Sequence, residues 1–73
     1  MIYILTQQFM NGTVTMGITT LGIEAGNFEE AKGKVKKLSG MAKATVTEDD
    51  EETLCFCLPE VIGTMENTPL NII

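Results

Sequence analysis

The chain contains no histidine, no arginine and no tryptophan, and it has one serine (Ser39) and one tyrosine (Tyr3). Histidine is the usual general base near neutral pH because its unperturbed pKa is about 6.5. Without it, a nucleophile needs a lysine, a carboxylate or a helix terminus to activate it. The chain is therefore not expected to be an enzyme. The missing arginine bears on nucleic acid, because phosphate neutralisation draws on Arg and Lys and base readout leans on Arg. Five lysines stand against ten carboxylates, for a formal net charge of -5. Only Lys32, Lys34, Lys36 and Lys37 form a basic cluster. Direct nucleic-acid binding is not expected.

Other absences narrow the field further. No apolar run approaches the ~20 residues that span a bilayer, so no membrane partner is expected. The opening MIYILTQQ has neither a basic lead nor a small-residue cleavage site. A cytoplasmic setting follows as the expectation, with Cys55 and Cys57 as free thiols. The glycines at 12, 17, 22 and 26 do not fit G-x-G-x-x-G, and Gly33-Lys34 lies inside a helical pattern. Glu29 and Glu30 would repel an anion from the one helix N-terminus. No nucleotide or other cofactor is implied.

What is present suits one small domain. A chain of 73 residues buries only about 60% of its unfolded surface, so a partner chain would help complete its core. A homo-oligomer, most simply a dimer, is expected. Ile2, Tyr3, Ile4, Leu5 and Phe9 favour a first strand. Asn11-Gly12 signals a type I′ hairpin turn. Val14, Met16 and Ile18 then alternate with threonines, and Leu21 and Ile23 continue out of phase. A β-bulge near Gly17 to Thr20 would return them to one buried face.

Asn27 is a good N-cap, and Glu30 completes the capping-box spacing. Phe28, Ala31, Val35 and Leu38 form an apolar stripe of about three turns, and Gly40 supplies the stop. Gly33 lies almost opposite that stripe, where glycine costs a helix ~1 kcal/mol. It is either neutral at an exposed site or a point of close approach by another chain. Ala42, Ala44 and Val46 predict a third strand, and Leu54, Phe56 and Leu58 a fourth that Pro59 ends. The fold class is α+β: a mostly antiparallel ββαββ domain over residues 1–63, with one helix on one face. Residues 64–73 form a tail, read as an extra edge strand or a docking segment.

Three constellations carry candidate function. Glu48, Asp49, Asp50, Glu51 and Glu52 form an acidic hairpin tip, read either as a solvated turn or as a patch that meets a basic partner surface. A calcium loop needs alternating carboxylates and a glycine, which this run lacks. Cys55 and Cys57 share one strand face and read first as packing residues; at C-x-C spacing they are half of a tetrahedral zinc site, and no further Cys or His exists to complete it. Leu70, Ile72 and Ile73 in the apolar tail are candidates for an oligomer contact.

Together these residues point to a non-catalytic protein-binding module, a small acidic inhibitor or regulator of another protein. Tiny acidic chains without catalytic residues are common among phage and plasmid inhibitors of host enzymes and defence systems, an analogy of class only. Two other classes stay open. One is a small-ligand- or metal-binding homo-oligomer with its site between subunits. The other is a structural assembly subunit that extends through its sheet edges.

Overall fold

The computed structural model describes residues 1–38 and 40–70. In chain order these form β1 (Ile2–Asn11), β2 (Val14–Glu24), α1 (Phe28–Lys36), a 3-10 turn (Met41–Lys43), β3 (Thr45–Asp49), β4 (Thr53–Leu58) and β5 (Val61–Glu66). The strands make one antiparallel sheet in the order β2-β1-β5-β4-β3. The class is α+β, as the residue pattern implies. The strand count is five rather than four, because Val61–Glu66 pairs with both β1 and β4 and becomes the central strand. The boundary expected at residue 63 thus falls inside β5. No helix among the described residues is long and apolar enough to cross a membrane.

The opening hairpin forms where expected, and its two arms set the longest dimension of 37 Å. Its turn differs. Within the turn only Gly12 takes positive φ, at 64°, and neither Asn11 nor Thr13 does. Gly12 is therefore the first central residue of a type II′ turn, with Asn11 paired to Val14 as the last strand residues. The bulge also sits earlier than expected. Phe9 pairs with Gly17 and Met10 with Thr15, which leaves Met16 as the extra residue. Val14, Met16 and Ile18 need no buried face because α1 covers the sheet only toward Ile23.

Helix α1 starts as its residues dictate. The Asn27 side chain accepts a hydrogen bond from Glu30 N–H at 2.8 Å, and the Glu30 carboxylate accepts one from Gly26 N–H at 2.7 Å. Phe28, Ala31 and Val35 are buried, while Leu38 lies beyond the helix and is exposed. The fourth buried position of the stripe belongs to Lys32 instead. The strand expected from Ala42 begins only at Thr45, because Met41–Lys43 winds into the 3-10 turn. Alanine brings little β preference to resist that. A Cβ on Gly33 would meet nothing within 4 Å. Gly33→Ala is therefore expected to stabilise the fold by about 0.5–1 kcal/mol, read as a higher urea midpoint. A lower midpoint would show that the bare backbone at Gly33 is needed.

The core lies between α1 and one sheet face. Tyr3, Leu5, Ile23, Leu54, Phe56 and Met65 project from the strands to meet Phe28, Ala31 and Val35. One cross-strand row reads Leu21, Leu5, Met65, Leu54 and Asp49 over all five strands. In the next row Gly63 pairs with Phe56, whose ring atoms lie 2.2 to 2.7 Å from where a Cβ would stand. The opposite face carries Ile4, Thr6, Thr20, Ile62, Thr64 and both cysteines, and no helix covers it.

Candidate functional site

The five-acid run does not act as one patch. Val46 pairs with Phe56 and Glu48 with Cys55, so Thr47 is an extra residue that bulges β3. The bulge puts Asp49 opposite Leu54, on the helix side, and leaves Glu48 beside Cys55 on the open face. Beneath the helix Asp49 meets Lys32, whose residue is only 6% exposed. The Lys32 ammonium donates to Asp49 Oδ1 at 2.9 Å and to the Asp50 carbonyl at 2.9 Å, and it pairs with Glu29 Oε1 at 2.9 Å. Three acceptors occupy its three protons, which is why a lysine is tolerated there. It also lies 5.1 Å from the centre of the Phe28 ring. Lys36 takes the other oxygen of Asp49. Lys36 and then Lys32 hold the Asp49 carboxyl below its ordinary value, and Asp49 and Glu29 raise Lys32.

Asp50 is occupied differently. Its Oδ1 accepts hydrogen bonds from Glu52 N–H at 2.7 Å and Thr53 N–H at 2.9 Å, closing the β3–β4 turn. Those two donors lower its pKa. Asn67 holds the turn from the other side, donating from its side chain to the Glu51 carbonyl and from its backbone to the Glu52 carbonyl. Glu51 and Glu52 therefore stand on a fixed turn with exposed side chains. Neither has an ion-pair partner among the described residues.

These two carboxylates and Glu29 border a cleft of about 440 Å³ between the start of α1 and the β3–β4 turn. Tyr3 and Phe28, whose ring centres lie 5.6 Å apart, line it as well, with Asn27 and Asn67. Carboxylates lining one cleft suit a cation, because their charges attract it. Of the cleft residues, only Glu51 and Glu52 were legible in the sequence as a candidate site. Glu29 read as a helix-dipole residue, and Tyr3, Phe28 and Asn67 come together only through sheet order. For Lys32 a signal exists: it lies four residues after Phe28 and three before Val35, the edge of the apolar stripe.

The remaining candidates lie elsewhere. Cys55 and Cys57 are half-buried free thiols on the open face, next to Thr64 and Ile62 of β5. Burial first, and the Glu48 carboxylate second, push the Cys55 thiol up, which opposes thiolate chemistry. No cluster of three metal-ligating side chains occurs among the described residues. In the tail, Leu70 N–H donates to the Ile2 carbonyl at 2.6 Å, so this part of the tail docks on its own chain where β5 has ended. Ile72 and Ile73 lie outside the described residues. A second hollow of about 380 Å³, bordered by Ile4, Thr6, Thr64, Glu66 and Thr68, is lined mainly by neutral hydroxyls. Set against family models, curated proteins and solved structures, the chain matches none of them.

Proposed function

We propose that this chain is a non-catalytic protein-binding module, an inhibitor or regulator that grips a basic segment of another protein. The observation that carries the reading is the pair Glu51 and Glu52. They have no ion-pair partner among the described residues, stand on a turn held by Asp50 and Asn67, and line a cleft together with Glu29. A Lys or Arg side chain entering there would meet the carboxylates of Glu51 and Glu52 beside that of Glu29. Because the turn is held before binding, little ordering cost falls on association. Free cysteines suit a reducing cytoplasm as its setting.

The contact is narrower than the whole acidic run. Asp49 and Asp50 serve the fold, so neutralising them would damage the domain rather than report on recognition. The informative variant is Glu51→Gln/Glu52→Gln. A partner captured by the wild-type chain from its native host, identified by mass and then titrated in purified form, should bind this variant at least ~tenfold more weakly. Wild-type affinity should also fall steeply as salt rises, since exposed charge pairs are screened. Unchanged affinity in the double variant would eliminate the cleft as the contact.

A further inference from the structure

We propose that the outer edge of β2 is a self-association surface, along which two copies of this chain pair antiparallel and join their sheets. The proposal is independent of the acidic cleft, which lies at the helix start and the β3–β4 turn. The two sheet edges are β2 and β3. Strand β3 has five residues, a bulge, and the charged Glu48 and Asp49, all devices that discourage edge pairing. Strand β2 has eleven residues, VTMGITTLGIE, with no proline and no ionisable side chain before Glu24. Its one bulge is at Met16, so Gly17 to Ile23 runs in regular register with β1. Met16, Ile18 and Leu21 are 67%, 60% and 44% exposed. This edge is long, neutral and apolar.

The backbone is ready to pair. Ala25 N–H donates to the Met1 carbonyl at 2.9 Å. In an antiparallel ladder bonded and non-bonded pairs alternate. Ile23, Leu21, Thr19 and Gly17 therefore bond β1, and Gly22, Thr20 and Ile18 turn their N–H and C=O groups outward. The regular stretch is centred on Thr20. A two-fold axis there sets outward residues against outward residues, so the new ladder closes without mismatch. It also sets Ile18 against the second copy's Gly22, Leu21 against its Thr19, and Ile23 against its Gly17. Each bulky side chain meets a smaller one.

Charge selects a second copy at this edge and not the other. A chain of formal net charge -5 repels itself wherever its carboxylates meet. None lies between Met10 and Ile23, and Glu24 would face the second copy's Met16. The acidic β3 edge is four interstrand spacings away, roughly 19 Å, which is beyond a screening length of about 8 Å at physiological salt. Joined through β2, the two acidic edges stand at opposite ends of the combined sheet. Its apolar contact would also supply burial that a domain of this size lacks.

The test is sedimentation of the full chain with amide hydrogen exchange. At about 300 µM the wild-type chain should sediment at twice its 7.9 kDa mass. In that dimer the outward amides of Ile18, Thr20 and Gly22 should be protected and should lose protection on dilution, while Thr19 and Leu21 stay protected at both concentrations. Thr20→Glu sets two like charges directly opposite one another on the two-fold axis and should weaken the dimer at least ~tenfold. Thr20→Pro removes an outward donor without touching the β1 ladder and should do the same, so the two variants check one another for folding. Val46→Lys on the far edge should leave the dimer intact. A monomer mass for the wild type at that concentration, which would give the edge to a strand of another protein, overturns the proposal. So does a dimer that both β2 variants preserve.

Discussion

Gly63→Ala is expected to destabilise the domain by about 3 kcal/mol. Gly63 is buried in the central strand, directly opposite Phe56 on β4. The Phe56 ring occupies the space that a side chain at Gly63 would fill, with three ring atoms within 2.7 Å of the ideal Cβ position. Phe56 is among the largest fully buried side chains and packs with Leu5, Leu54, Met65 and Val35. The ring therefore has no free direction to move without displacing its neighbours, and packed interiors resist such shifts. A domain this small holds only ~3–5 kcal/mol in its core, so the variant should keep little margin. A urea midpoint lower by at least ~1.5 M would register it. In a Phe56→Leu background the same substitution should cost much less, since the clashing ring is gone. An unchanged midpoint for Gly63→Ala alone would refute the packing account.

Lys32→Ala is the second large effect, with an expected loss of ~2 kcal/mol. Lys32 ties α1 to the β3–β4 turn through Asp49, the Asp50 carbonyl and Glu29. The figure stands below that of a fully buried pair because the Glu29 side chain is 75% exposed and the Asp49 side chain 24%. Lys36→Ala removes a half-exposed partner of the same carboxylate and should cost at most ~1 kcal/mol. Equal losses in the two variants would show that burial at Lys32 does not matter.

The same network sets an acid dependence. Asp49 has its folded pKa depressed, by Lys36 foremost and then by Lys32, from an ordinary 3.8. Its contribution is fully present above that value and is lost as pH falls through the folded pKa. Lys32 has its pKa raised from an ordinary 10.5, so its share is present below that value and lost as pH rises past it. Urea midpoints should hold between pH 6 and 8, then fall below about pH 4. Lys32→Ala should flatten that acid slope, because Asp49 then gains less from folding. A slope as steep as the wild type's would place the acid sensitivity on other carboxylates.

The sequence by itself determined the elements whose causes are local. Asn27 and Glu30 cap α1 from three residues apart, and the hairpin turns at Gly12 because glycine alone takes that φ without strain. The absence of His and Arg, and the excess of carboxylates, were complete statements before any fold was known. Tertiary structure decided what depends on distant pairing. The residue pattern sets the tail boundary at residue 63, inside Val61–Glu66, yet ladders from β1 and β4 on both sides make that segment the sheet's centre. Gly63 is a seat for Phe56 only once those two strands align. The acidic run divides because a bulge at Thr47 turns Asp49 toward the helix, and Lys32 is buried because Asp49 arrives there. Side-chain alternation along a strand is visible in a linear pattern. The neighbour that receives each side chain is not, because register is settled by burial and hydrogen bonding summed over the whole sheet.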